Sequence, residues 1–360
     1  MKIILFISAL SGGGAERVVC NLANHLADFG HQVEILTMAE DIPAEPLNSQ
    51  IKHNPLLKKC ERKNAFVNNL KRYVRLRKYM KMESVDAYIV MLPIPIILML
   101  GLSELTDAPI IVSERADPRK YSAAIQKLLQ TLSSRASGFV FQTEEAKQWY
   151  APYINGIKTA VIPNAINPVF IRPEYTGERE KKIVAAGRLT EQKNFALLIR
   201  SFAGIAADFP EHKLVIYGKG GLKEELVALA ESLGISDRVE FPGYVKNMQE
   251  ELEKAQMFVL SSDYEGMPNA LMEAMALGLP CVSTDCGGGG ARFLIEDGVN
   301  GLLVPVQDGP AMVEAMKAIL SDPQKAAKLG KNARKIQDTL APEKIYGQWE
   351  SFIREISERV

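Results

Sequence analysis

Short apolar runs alternate with amphipathic helical segments along the whole 360-residue chain, and the alternation starts afresh past residue 170. Such a succession predicts parallel sheets, because a connection between parallel strands is long enough to hold a helix. In the first half, strands are predicted over 3–8, 32–37, 87–92, 109–113, 138–142 and 159–162. A helix over 15–29 places Val18, Leu22 and Leu26 at fourfold spacing, and Gly30 stops it. Past Pro163-Asn164 and the polar stretch 173–182, strands are predicted over 182–186, 213–217, 239–241, 257–260, 280–283 and 301–304. The reading is α/β, with one Rossmann-like domain over 1–168 and another over 169–342. Ligands are expected at the carboxyl ends of the strands.

Composition removes several function classes. Lys plus Arg number 43 against 43 Asp plus Glu, so no whole-chain field draws a polyanion, and no nucleic-acid partner is expected. The halves differ: residues 1–170 hold 20 basic against 15 acidic residues, the remainder 23 against 28. Four cysteines (20, 60, 281, 286) and four histidines (25, 31, 53, 212) are scattered, without a zinc spacing or a C-x-x-C pair, so the thiols are expected reduced and the protein cytoplasmic. The apolar start 1–10 reads as a strand rather than a signal peptide. The apolar segment 87–102 is too short to span a membrane and carries Pro93 and Pro95, which suits a strand followed by a core helix.

Three constellations carry chemistry. Ser11-Gly12-Gly13-Gly14-Ala15-Glu16-Arg17 turns strand one into helix one. It suits either a phosphate contact or a tight turn. It lacks the third glycine and the strand-two acid of a dinucleotide site, which sets an NAD-dependent oxidoreductase far behind, and no Gly-Lys-Ser/Thr makes it a P-loop. Gly187-Arg188-Leu189-Thr190-Glu191-Gln192-Lys193 follows the first strand of the second half, where a fork and a point charge five residues apart can converge on a diphosphate. In Asp263-Tyr264-Glu265-Gly266-Met267-Pro268-Asn269-Ala270-Leu271-Met272-Glu273, Pro268 suits a first helical turn. The amides of 266–270 then form an anion-binding terminus flanked by Glu265 and Glu273, two carboxylates suited to hydroxyl pairs. No D-x-D triplet offers a metal-held diphosphate, so neither metal nor cofactor is expected.

Together with Val161-Ile162-Pro163-Asn164, these motifs resemble the family 4 retaining glycosyltransferases of GT-B fold, over nearly the whole chain. The resemblance implies two Rossmann-like domains whose parallel sheets face a central cleft, an acceptor on the first and a nucleotide-sugar on the second. It also implies a last helix, here 343–360, that packs back on the first domain. It further implies that Arg188 and Lys193 hold the donor diphosphate and Glu265 meets the donor sugar, the three catalytic assignments. Gly14 would approach the diphosphate from the first domain and Asn164 would bind substrate. Gly266, Met267, Pro268, Asn269 and Ala270 would cradle phosphate, and Glu273 would bind ribose. Gly218, Lys219 and Val245 would lie near the nucleotide. The family's N-domain histidine is missing; Ser113-Glu114-Arg115-Ala116-Asp117-Pro118 stands there, as in enzymes building polysaccharides or lipid-linked oligosaccharides. Arg115 is expected to face the cleft, toward either donor or acceptor.

The implied reaction moves a hexose or N-acetylhexosamine, without metal, from a nucleotide-sugar, with UDP the expected nucleotide, to a glycan or polyprenyl-linked acceptor. An epimerase of the same architecture, with Glu114 and Asp117 as its spare acid and base, and a non-catalytic nucleotide-sugar sensor are the alternatives. Residues 58–81 contain ten basic residues and one acid, Glu61. Val67, Leu70, Val74 and Met80 are spaced as one helix face there, which either packs on the first domain or meets the inner, anionic face of a membrane.

Overall fold

The computed structural model describes every residue except Gly12, Ala44, Glu83, Arg359 and Val360. Gly12 of the first glycine run and Arg359 of the last predicted helix therefore lie outside the described residues. The chain divides into two compact units, Met1–Ala165 with Glu343–Val360, and Ile166–Pro342.

The first unit is built on seven strands: β1 (Lys2–Ile7), β2 (Gln32–Thr37), β3 (Lys52–Pro55), β4 (Ala87–Met91), β5 (Ile110–Ser113), β6 (Gly138–Phe141) and β7 (Lys158–Val161). The second carries six: β8 (Glu180–Ala186), β9 (Lys213–Tyr217), β10 (Val239–Gly243), β11 (Ala255–Leu260), β12 (Cys281–Thr284) and β13 (Leu302–Val304). The sheet orders are β3-β2-β1-β4-β5-β6-β7 and β10-β9-β8-β11-β12-β13. Neighbours pair in parallel, as Ile3 with Val33 and Ile183 with Leu214. Strand order thus reverses beside β1 in one unit and beside β8 in the other. At such a point successive helices leave to opposite faces and a crevice opens at the strand ends. The central strands are apolar throughout because both sheet faces are covered; all five residues of β4 are buried.

Two helices depart from the periodicity. Helix Gly14–Asp28 buries Val19, Leu22, Ala23 and Leu26 and leaves Val18 half-buried, and Gly30 ends it at φ 83°. Helix Ala65–Met82 seats Leu76 and Met80 in the core, whereas Leu70 and Val74 are exposed, together with Phe66 and Tyr73. The face expected over 67, 70, 74 and 80 is therefore split between core and solvent.

Candidate active site

In the second unit the loops after β8 and β11, neighbouring strands at the order reversal, are stitched together. Asp263 N donates to Gln192 O at 2.9 Å, Ser261 Oγ to Lys193 O at 2.8 Å, and Asn194 Nδ2 to Asp263 Oδ1 at 2.9 Å. Asn194 sits in the left-handed region (φ 44°) and its side chain caps helix Phe195–Ile205, so the turn carrying Lys193 is held from both sides. Lys193 Nζ meets Glu265 Oε1 at 2.5 Å, Ser262 Oγ donates to the same oxygen at 2.7 Å, and Gln192 Nε2 donates to Tyr264 O at 2.9 Å. The structure thus joins Lys193 and Glu265, read from separate motifs, into one nearly buried ion pair. Arg188 is exposed on the same β8 loop.

Glycines permit backbone-on-backbone contacts that set these loops. A Cβ on Gly218 would lie 1.8 Å from Gly187 O, and one on Gly220 2.2 Å from Leu189 O. Leu189 N donates to Lys219 O at 3.0 Å, which puts Lys219 on the loop beside Arg188. Gly218 N donates to Gly243 O at 2.9 Å, which brings half-buried Val245, two residues past β10, into the same group of loops. Close packing therefore accounts for the Gly218-Lys219-Gly220 pattern.

Pro268 is the N-cap of helix Asn269–Ala276, one position before the helical turn expected for it. Gly266 and Met267 lead into that helix and Asn269 and Ala270 open it. Glu273 in its second turn is 8% exposed.

Sequence reading passed over the four-glycine run 287–290. Glu265 N donates to Gly287 O at 2.9 Å. A Cβ on Gly288, at φ 99°, would stand 1.8 Å from Glu265 O, and one on Gly290 2.0 Å from Gly266 O. The run is the seat of Glu265, and the run itself was the available signal. Ser262 carried no sequence signal, and Gln192 stood in its motif without an assigned role. Cys286, beside the run, has its thiol pushed up to about 12, chiefly by burial.

In the first unit, Gly14 opens helix Gly14–Asp28 and is exposed. A Cβ on Gly13 would meet Glu16 Oε2 at 2.1 Å, so the chain's own carboxylate folds over this turn. Arg17 pairs with Glu45 at 3.0 Å. Arg115, expected to face the cleft, is buried. It is 7% exposed, its guanidinium stands 5.3 Å from the Trp349 ring centroid, and Nη1 donates to Asn164 Oδ1 at 3.0 Å. Gln142 Nε2 donates to the same Asn164 oxygen at 2.7 Å. The predicted residues Arg115 and Asn164 thus meet each other past the ends of β5 and β7. Burial holds the Arg115 guanidinium down at about 10.

Both spare acids are buried. Glu114 accepts from Tyr121 and Tyr150 hydroxyls at 2.8 and 2.7 Å and from the amides of Arg115 and Ala116. Burial raises its carboxyl pKa against these donors. Asp117 caps the turn Pro118–Lys120 and pairs with Arg119 at 2.8 Å.

Residues 12–170 match the family described as Glycosyltransferase Family 4, and residues 170–336 that described as Glycosyl transferases group 1. The chain is 30% identical over 352 residues, 93% of its length and 94% of the relative's, to an N-acetylgalactosamine-N,N'-diacetylbacillosaminyl-diphospho-undecaprenol 4-alpha-N-acetylgalactosaminyltransferase of Campylobacter jejuni. The chain belongs to the family 4 glycosyltransferases.

A second enzyme of that bacterium, an alpha-1,4-N-acetyl-D-galactosaminyltransferase acting on an undecaprenol-diphosphate-linked GalNAc-GalNAc-diNAcBac glycan, is 27% identical over 99% of both chains. Anabaena HepE, solved with UDP and glucose, shares the GT-B fold at TM-score 0.85 and 19% identity, covering 98% of this chain and 99% of its own.

Proposed function

We propose that this glycosyltransferase is a retaining, metal-independent enzyme that moves a hexose or N-acetylhexosamine from a UDP-sugar to a glycan or lipid-linked oligosaccharide. The observation that carries the reading is the Lys193–Glu265 pair, anchored by Ser262 at the β8/β11 reversal. Arg188 and Lys193 supply two positive charges on one loop, able to stabilise the charge that develops on the departing diphosphate. The amides leading into helix Asn269–Ala276 add the positive end of that helix. Glu265, fixed by Lys193, Ser262 and, at 3.4 Å, Gln192 Nε2, accepts hydroxyls of the donor sugar, and Glu273 grips the ribose diol. With Glu265 held this way, no side chain is assigned as nucleophile; the leaving phosphate takes the acceptor proton as the new bond forms on the same face. The undecaprenol-linked substrates named for the Campylobacter relatives and the UDP in the HepE complex support the acceptor and donor classes.

Calorimetric titration of UDP, GDP, ADP and NAD with EDTA present, repeated on Arg188→Ala, tests the donor half. UDP binding that falls at least tenfold in the variant is expected. Binding of NAD alone, or no binding, overturns it. Turnover that requires an acceptor separates a transferase from an epimerase or a sensor.

The acceptor clause extends to a membrane surface. Among the described residues, no helix is long and apolar enough to cross a bilayer. On helix Ala65–Met82, Phe66, Leu70, Tyr73 and Val74 form an exposed apolar stripe that continues into exposed Arg77, Lys78 and Lys81. Other basic residues turn inward: Arg72 Nε donates to Met38 O at 2.9 Å and Arg75 forks onto Glu61 at 2.7 and 2.6 Å. Apolar groups entering an interface, with about 1 kcal/mol per basic residue near anionic headgroups, suit peripheral docking on the inner leaflet. Flotation with phosphatidylglycerol vesicles, lost in Leu70→Glu/Val74→Glu, is the expected result. Equal recovery with neutral and anionic vesicles counts against it.

A further inference from the structure

The first unit holds a titratable cluster that none of the motifs includes. Asp41, in the loop after β2, accepts the backbone amides of Leu10 and Ser11 on one carboxylate oxygen, the latter at 2.9 Å. These are the residues through which β1 passes into the glycine-rich turn. Amide bonds to an ionised acceptor are roughly twice as strong as neutral ones. Asp41 itself is braced. Thr37 Oγ1 spends its proton on Ala39 O at 2.9 Å, so the 2.9 Å contact between His53 Nε2 and Thr37 Oγ1 has the imidazole donating. The same Nε2 stands 3.8 Å from Asp41 Oδ1. Farther along the loop, Glu45 pairs with Arg17, Asn24 Nδ2 donates to Pro46 O at 2.9 Å, and Asn48 N donates to Asn24 Oδ1 at 2.8 Å. The loop is therefore fastened along helix Gly14–Asp28 and grips the preceding turn by the Asp41 carboxylate.

We infer that Asp41 is a positioning residue for transfer: it fixes the backbone at Leu10 and Ser11 and so aims the glycine-rich turn at the substrate. Thr37, at the end of β2 and backed by His53 of β3, holds the start of the loop through Ala39 O. The inference rests on the transferase reading of the preceding subsection, because the turn has a substrate to meet only if the first unit takes part in catalysis. A glycine-rich turn has little side-chain packing to define it, so an external acceptor is the means by which its geometry is set.

Two readouts separate the clamp from its use. Hydrogen exchange at the Leu10 and Ser11 amides is measured by NMR on wild type, Asp41→Ala and Asp41→Asn. Exchange accelerated about tenfold or more in Asp41→Ala and partly restored in Asp41→Asn, whose amide oxygen still accepts, is expected. UDP release from UDP-N-acetylgalactosamine or UDP-glucose is then followed with a polyprenyl-diphosphate-linked N-acetylhexosamine as acceptor. The expected result is a roughly tenfold loss of kcat/KM in Asp41→Ala with partial rescue in Asp41→Asn. Unchanged exchange overturns the clamp. Accelerated exchange with unchanged kcat/KM overturns its role in transfer. Wild type that turns over neither donor sinks the transferase reading, while the exchange data still decide the clamp. Should Asp41→Ala fail to fold, Asp41→Asn carries the same comparisons.

Discussion

Replacing Gly288 by alanine puts the seat of Glu265 to a quantitative test. Gly288 has φ 99°, where an L side chain costs about 1–2 kcal/mol. The added methyl would also stand 1.8 Å from Glu265 O, a backbone atom that cannot rotate away. Restoring van der Waals distance means moving the strand-end loop by roughly 1.5 Å, and such overpacking costs about 1–3 kcal/mol. The two terms predict a loss of roughly 2–5 kcal/mol in denaturant unfolding of the second unit, or a fall of the order of 10 °C in Tm. Because Gly266 and the amides proposed to cradle phosphate follow the Glu265 carbonyl, they are displaced with it, and UDP affinity is expected to fall at least tenfold.

Gly298 provides the control. It has φ 73° and nothing within 4 Å of an added Cβ, so Gly298→Ala carries the conformational term alone, about 1 kcal/mol, with UDP binding intact. If Gly288→Ala loses no more stability than Gly298→Ala and binds UDP as wild type does, the argument that the glycine run braces Glu265 is refuted.

Other expectations concern the first unit and the whole chain. Trp349→Ala removes a 1%-exposed ring under the Arg115 guanidinium, and denaturant titration should show a loss of about 3–5 kcal/mol; a loss below about 1 would deny the C-terminal helix its anchoring role. Gly347→Ala, inside helix Pro342–Ser357 with open space around the new Cβ, should stabilise by about 0.5–1 kcal/mol in the same assay. Burial lowers the pKa of His25, His31, His53 and His212 from 6.5. The folded state then binds fewer protons than the unfolded chain, so this part of the stability is full above pH 6.5 and is lost as pH falls below it. Tm should drop on acidification through that window, and replacing the four by Gln should flatten the slope; an unchanged slope would show that burial does not govern these rings.

Both sheets were legible in the sequence for one physical reason. A central parallel strand is covered on both faces, so runs such as Ile3–Ile7 and Met257–Leu260 are apolar without interruption. Strand β3 escaped because it lies at a sheet edge and reads Lys-His-Asn-Pro, with alternate residues exposed and no apolar signal. Helix Ala65–Met82 was legible as a helix but not as a packed one. Its apolar residues lie on two faces, and only the surroundings decide that Leu76 and Met80 enter the core while Leu70 and Val74 stay out.

The second-unit site divides along the same line. Charged residues at strand ends stand out, so Arg188, Lys193, Glu265 and Glu273 are candidates from the sequence, and the structure pairs Lys193 with Glu265. What fixes them is backbone: Gly218 against Gly187, Gly288 against Glu265, and Ser261 and Gln192 tying one loop to the next. Such contacts leave no trace in a side-chain pattern except as a glycine, and a glycine in sequence is as consistent with a plain turn as with close approach. The same limit explains Arg115. A cation after a strand end reads as a cleft residue, and nothing in its spacing tells that Trp349, more than two hundred residues away in sequence, lies at its guanidinium face or that Asn164 takes one of its donors. Charged candidates can be picked out of the chain directly, whereas the backbone proximity that braces them emerges only when loops from distant strands are brought together.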